Sequence, residues 1–312
     1  MSVPAAPTIS PFPVTPGSWV TEDPDRVAVS MPDGGILTYG ELEIGSRRLA
    51  SLLQGRGLEP GDTIALLMEN RLEYYVAAWA AQRSGLYYTP VNWHLSPGEA
   101  AYILANCGAQ ALFTSPNVAP LAAQAATGIK TPAGRFVVGG STEGFEELDV
   151  THLDPPQTVL AEMEGQPMYY SSGTSGRPKG IRRPVTGNPF GAGQGIEHLM
   201  ASHFGFNRST VYLAPGSPLY HAAPLGWSMG TQRLGGRVVL LAKFDPIAVL
   251  ETIEREHITH AQFVPTMFVR MLKLPVVVYE PKLISDRRPP VGHSALCEGV
   301  ERSAGSNDRV LA

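Results

Sequence analysis

The stretch with the densest chemistry reads Tyr170-Ser171-Ser172-Gly173-Thr174-Ser175-Gly176-Arg177-Pro178-Lys179-Gly180, directly after the apolar Met168 and Tyr169. Ser171, Ser172, Thr174 and Ser175 bring four hydroxyl donors, and Lys179 adds a compact positive charge suited to phosphate oxygens. Gly173, Gly176 and Gly180 let bare backbone N–H groups approach an anion and take up the dihedrals of an anion nest. Together these groups read as a phosphate cradle. It is not a Walker A loop, because a GxxxxGK[ST] frame counted from Gly173 puts Pro178 where the second glycine belongs. The competing reading is a flexible Gly/Ser-rich surface loop. The density of donors beside Pro-Lys-Gly favours phosphate.

The elements that must hold this loop follow from periodicity. Thr38 and Glu41 form a capping box for a helix carrying Leu42, Leu49, Leu52 and Leu53, stopped by Gly55 and Gly57. Thr63 to Met68 is a short apolar run that suits a strand buried on both faces. Asn70 and Glu73 open a helix that ends at Gly85, and Leu86 to Val91 is the next strand. Its aromatics Tyr74, Tyr75 and Trp79 are assigned to packing. Ser96-Pro97-Gly98-Glu99 caps a helix running to Gly108, followed by a strand at Ala111 to Thr114. Residues 115 to 165 are less regular, with a strand at Arg135 to Val138 and an acidic, turn-rich stretch. Beyond Gln166 come strands at Met168 to Tyr170, Thr210 to Leu213, Arg237 to Leu241 and His260 to Val264. Helices follow Asp245-Pro246 and Pro265. Strand and helix alternating through short connections predicts an α/β fold with largely parallel sheets covered by helices.

Composition removes several classes of function. Gly 33 and Pro 28 make nearly a fifth of the 312 residues, against roughly an eighth in average usage, which marks a turn-rich globular chain. At 43% hydrophobic it can bury a core, of about two domains or one large α/β unit. A net charge of -4 without Lys/Arg runs argues against nucleic acid as a partner. Cys107 and Cys297 lack disulfide or metal-site spacing, and the Pro-broken start resembles no signal peptide, so the expected location is the cytoplasm. No apolar stretch reaches the roughly 18 residues of a membrane span, which leaves peripheral association open.

The loop resembles the signature of the adenylate-forming (AMP-binding) acyl-CoA synthetases, Tyr-Thr-Ser-Gly-Thr-Thr-Gly-x-Pro-Lys-Gly, with Ser171 and Ser175 in place of two threonines. Leu37 to Leu42, Gly61-Asp62, Pro90-Val91-Asn92, Pro218-Leu219-Tyr220-His221 and Phe263 to Thr266 resemble further landmarks in the same order. The resemblance spans about residues 20 to 274. It implies the large N-terminal domain of that family and a two-step reaction. A carboxylate attacks the α-phosphorus of MgATP to give acyl-adenylate and pyrophosphate, and the thiol of coenzyme A then displaces AMP. Ser172 and Thr174 are implied as direct phosphate contacts, with Ser171, Ser175 and Lys179 beside them and Gly173 and Gly176 setting the path. Mg²⁺ is expected to arrive with ATP. His221 matches a position lining the carboxylate pocket, against the alternative that it caps a helix. Gly226 belongs to a small-and-apolar stretch, Gly226 to Gly230, that fits an acyl channel or plain core. The expected substrate is a fatty acid, with aryl acids such as coumarate as the alternative and a non-catalytic nucleotide-binding remnant as a further one.

The resemblance also implies an adenine-binding Tyr-Gly-x-Thr-Glu segment, a ribose-binding Asp and a catalytic lysine on a small C-terminal domain, which this sequence does not contain. The expected organisation is a Pro-rich lead (1–20), an incomplete domain of two lobes (about 21–150 and 151–274) and a non-family, poorly ordered tail (275–312). A truncated copy of this kind is expected to be weakly active or inactive, and to self-associate through uncovered core.

Overall fold

The computed structural model describes residues 15–150, 153, 162–171, 177–193 and 195–274. The expectations for most of the lead, for Ser172 to Gly176 of the loop and for the tail 275–312 lie outside the described residues. The first half of the chain runs α1 (Gly17–Val20), β1 (Val27–Ser30), β2 (Ile36–Thr38), α2 (Tyr39–Gly55), β3 (Thr63–Leu67), α3 (Leu72–Arg83), β4 (Tyr87–Pro90), α4 (Pro97–Cys107), β5 (Ala109–Thr114), α5 (Ala119–Ala125), β6 (Gly134–Val138) and β7 (Glu146–Leu148). The second half runs β8 (Gln166–Pro167), β9 (Tyr169–Ser171), β10 (Lys179–Ile181), α6 (Ile196–Phe204), β11 (Val211–Ala214), α7 (Ala222–Arg233), β12 (Arg237–Leu240), α8 (Pro246–Arg255), β13 (His260–Ala261) and α9 (Pro265–Leu272).

Local chemistry fixes the helix starts. Thr38 Oγ1 accepts from the Glu41 N–H at 3.1 Å while a Glu41 carboxylate oxygen accepts from the Thr38 N–H at 2.8 Å. Ser96 and Glu99 repeat the arrangement at α4, which ends at Gly108 with φ 67°. Asp245 Oδ1 accepts from the Ile247 and Ala248 N–H groups and starts α8.

The strands form a six-stranded sheet in the order β7-β6-β5-β3-β4-β8, parallel throughout, and a five-stranded sheet in the order β13-β11-β12-β1-β2. In the second sheet only the β1–β2 pair is antiparallel. Side-chain alternation sorts the core into three layers. Ile64 and Leu66 of β3, Tyr212 and Ala214 of β11, and Val238 and Leu240 of β12 join Leu42, Trp79 and Leu225 of α2, α3 and α7 in one core between the sheets. Ala65 and Leu67 point the other way, onto α4 and α5. Leu213, Val239 and Leu241 face α8 and α9. Every residue of β3 is buried, as its apolar run predicts.

The two sheets exchange strands across residue 150. β1 and β2 lie in the sheet built mainly from residues 211–261, and β8 closes the sheet built from residues 63–148. Several elements were not expected, among them α1, β1, β2, β10, α5, β7 and α6. α5 stacks Ala119, Ala122 and Ala125 on the core, where alanines give little hydropathic contrast, and β7 hides in an acidic stretch because it is an edge strand with Glu146 and Glu147 outward. α6 buries only Glu197, Met200 and Ala201, too few residues to show a period. Asn70 does not open α3. The helix begins at Leu72 with Arg71 at the N-cap position, and the Asn70 side chain bonds elsewhere.

Candidate functional site

β9 and β10 form an antiparallel ribbon in which Ser171 lies opposite Lys179, so the two ends of the Ser/Thr/Gly loop meet. Both residues are exposed, and Ser171 Oγ donates to the Lys179 carbonyl at 3.5 Å. Helix α4 sets the ribbon's place: Tyr102 donates its phenol to the Pro178 carbonyl at 3.2 Å, and Tyr170 donates to Asn106 Oδ1 at 2.6 Å. Burial raises the Tyr170 phenol well above its ordinary range, which keeps it a donor. The Arg177 guanidinium lies 5.2 Å from the Tyr102 ring centre, and Arg182 lies 4.2 Å from that of Tyr87 while donating to the Gly61 carbonyl. From Arg177 to Val185 the chain carries four cations and no carboxylate, a local field that draws anions. Sequence reading singled out Lys179 alone of these.

His221 and Gly226 lie together on a second platform, at the carboxyl end of β11, where ligands of parallel sheets gather. Gly216, with φ 83°, turns the chain after β11 against the 243–244 backbone so closely that a Cβ there would sit 2.1 Å from the Lys243 carbonyl carbon. The His221 N–H then donates to the Pro218 carbonyl at 3.1 Å and closes a turn. His221 occupies the N-cap position of α7, but its side chain makes no capping hydrogen bond. Its ring tilts onto Tyr220 at 4.4 Å between centres, and desolvation by its neighbours holds the imidazole below its usual range, which favours the uncharged form.

One turn on, Gly226 and Gly230 face α6. A Cβ on Gly230 would meet Met200 Sδ at 2.4 Å, whereas one on Gly226 would find only Ile196 Cδ1 at 3.7 Å. The α6–α7 seam is therefore tight at Gly230, while at Gly226, on the His221 side, a methyl group would fit in ordinary contact with Ile196. Trp227 packs on Phe204 and Phe206, and the buried Met229 accepts from the Tyr88 phenol, so both serve the core. Among the described residues no hydrogen bond or ion pair joins the ribbon to the His221 platform.

Asn70, which sequence reading took for a helix start, reaches the second platform from the turn after β3. Nδ2 donates to the Ser217 carbonyl at 3.2 Å and the Leu241 carbonyl at 3.1 Å, and Oδ1 accepts from the Leu219 N–H at 2.9 Å. Its one signal in the sequence is a polar residue just past the carboxyl end of an apolar strand.

Residues 18–289 match the AMP-binding enzyme family, starting inside the Pro-rich lead and running fifteen residues past Leu274. A feruloyl-CoA synthase of Amycolatopsis sp. is 32% identical over 81% of this chain and 49% of its own length. The fatty acid–[acyl-carrier-protein] ligase ScoC of Streptomyces coeruleorubidus is 30% identical over 78% of this chain and 46% of its own. The amide bond synthetase McbA of Marinactinospora thermotolerans superposes with a TM-score of 0.70 at 27% identity, over 84% of this chain and 51% of that one. The chain spans about half the length of the curated relatives it matches. With two largely parallel sheets between helices, a Ser/Thr/Gly stretch between the strands of a basic ribbon and a family match over most of its length, this chain belongs to the AMP-binding enzyme family.

Proposed function

We propose that the chain supplies the phosphate-binding and acid-binding groups of an ATP-dependent, AMP-forming carboxylic acid:CoA ligase. The observation that carries this is the ribbon. It sets Ser171 opposite Lys179 at the two ends of a stretch of hydroxyls and glycines, beside four cations. ATP supplies the phosphorus that the acid attacks. Lys179, Ser171, Ser172, Thr174 and Ser175 would neutralise charge on the β- and γ-phosphates as pyrophosphate departs, while Gly173 and Gly176 shape the loop. That chemistry needs no protein nucleophile. Mg²⁺ would enter on the nucleotide, bound mainly through phosphate oxygens.

His221 and Gly226 would line the acid pocket. A neutral imidazole beside a carboxylate avoids holding the acid as a tight ion pair and leaves its oxygen free to attack. Gly226, where the α6–α7 seam is less tight than at Gly230, would border the apolar tail. A fatty acid and an aryl acid both fit this description, the first in keeping with the likeness to ScoC and the second with the likeness to feruloyl-CoA synthase. Coenzyme A would accept the acyl group.

The test is pyrophosphate exchange into ATP by the 312-residue chain, driven in turn by octanoate, palmitate, coumarate and ferulate. Exchange with one acid class selects the substrate. ATP binding without exchange selects the nucleotide-binding reading, and absence of ATP binding removes both. Lys179 is exposed, so Lys179→Ala is expected to weaken ATP binding roughly tenfold with an unchanged melting temperature.

A further inference from the structure

We propose that Asn70 is the positioning residue of the acid pocket: its amide, carried by the first sheet, fixes the turn of the second sheet that presents His221. The inference rests on the reading of His221 as a pocket residue. Asn70 is 5% exposed, and both of its donors and one acceptor site are engaged with backbone groups alone. The orientation is determined by the partners, since a flipped amide would turn its oxygen onto the carbonyls of Ser217 and Leu241 and its NH₂ onto the Leu219 N–H.

The three bonds do different work. Those to Ser217 and Leu219 grip both sides of Pro218, the residue whose carbonyl accepts from the His221 N–H. That to Leu241 ties the same side chain to the end of β12, and the Leu241 N–H in turn donates to the Ala214 carbonyl at the end of β11. Gly216 pressed on the 243–244 backbone clamps the turn from its other side, and Leu219 is buried beneath it. His221 thus starts α7 from a turn with little freedom, and its ring lies against Tyr220. Direct contact of Asn70 with the acid is not part of the proposal. A backbone turn pinned from a different sheet keeps a reactive group in place at low entropic cost on binding.

The test uses the full chain with ¹³C in the histidine Cε1 position, the His221 signal being assigned with His221→Ala. Asn70→Ala removes all three bonds, and Asn70→Asp keeps the acceptor but turns a carboxylate towards two carbonyls. Thr114→Val removes the buried hydroxyl bond to the Leu67 carbonyl at the end of β3 and reports on general loosening of the first sheet. The expected result is that both Asn70 variants shift and broaden the His221 signal while Thr114→Val leaves it in place. A His221 signal unmoved in a folded Asn70 variant, or moved equally by Thr114→Val, overturns the proposal. Should neither Asn70 variant fold, amide exchange of the natural chain decides. Leu219 exchanging as slowly as β11 supports the proposal, and exchange at the rate of an open loop overturns it. Calorimetry with ferulate and octanoate adds a second readout. Affinity is expected to fall on the order of tenfold in Asn70→Ala, with ATP affinity unchanged. If neither acid binds the natural chain, the acid-pocket reading fails, whereas the histidine signal still decides whether Asn70 positions His221.

Discussion

Cys107 is the residue whose chemistry the fold changes most legibly. It is 2% exposed at the end of α4 and its thiol donates to the Leu104 carbonyl at 3.4 Å. Burial pushes the thiol up to about 11, because the thiolate finds no water to stabilise it. The fold therefore favours the protonated form: its contribution to stability is complete below the ordinary thiol range and is lost as pH rises through about 9 to 11. In a Cys297→Ser chain, an aromatic disulfide reagent at pH 8 is expected to label Cys107 only on unfolding, and the urea midpoint is expected to drop between pH 9 and 11. Rapid stoichiometric labelling of the native chain would contradict this. Gly216 makes a sharper steric case. Its φ of 83° and the 2.1 Å approach of a Cβ to the Lys243 backbone leave no flexible side chain to move aside. Gly216→Ala is expected to cost about 3 kcal/mol or more by urea melt, as strain and clash add. A loss near zero would mean that this turn relaxes freely, which would also undercut a rigid seat for His221.

Elements whose signals lie in their own residues were legible from sequence. The boxes Thr38–Glu41 and Ser96–Glu99 and the cap Asp245 each satisfy donors within three residues, so nothing distant decides them. Thr38→Ala is expected to cost about 1 kcal/mol in a denaturant melt, since the orphan N–H of Glu41 returns to water at an accessible helix end. A loss above about 3 kcal/mol would point to a tertiary role for the Thr38 side chain. What escaped sequence reading depends on partners. β7 is a strand because β6 lies alongside, not because Glu146-Glu147-Leu148 favours one. α5 is held by an alanine face against Leu112 and Leu104, and α6 by a seam with the glycines of α7. The candidate site divides the same way. The Ser/Thr/Gly loop and Lys179 were legible because their types announce phosphate chemistry, whereas Tyr102, Asn106 and Asn70 act through contacts up to 171 residues away, which no local pattern encodes.

At the scale of the whole molecule, the strand exchange between sheets is expected to make them a single folding unit. Tyr39, at the start of α2, shares its one phenol proton between the carbonyls of Gln232 and Gly236, and Trp19 donates to the Arg233 carbonyl, so the N-terminal segment is built around the end of α7. That same end carries the buried Arg233, 2% exposed, bonded to Glu164 and, at 2.8 Å, to Glu197. Glu164 also accepts from Gln82 of α3 and from the Gly191 N–H, and Arg233 lies 5.0 Å from the Trp79 ring centre. One guanidinium thus joins α3, α6, α7 and the segment leading into β8. Removing it would leave two carboxylates facing each other in a dry core, a loss of about 3–5 kcal/mol for a single broken buried pair. Arg233→Met is therefore expected to lower the urea midpoint strongly, and to do so for both sheets at once. Tryptophan fluorescence reports on all four tryptophans, Trp79 between the sheets among them, and far-ultraviolet circular dichroism reports on all helices. Their transitions should coincide in the natural chain and shift together in the variant. Two resolved transitions, with only one displaced by Arg233→Met, would mean that the sheets unfold independently and that the shared strands and the buried arginine do not couple them.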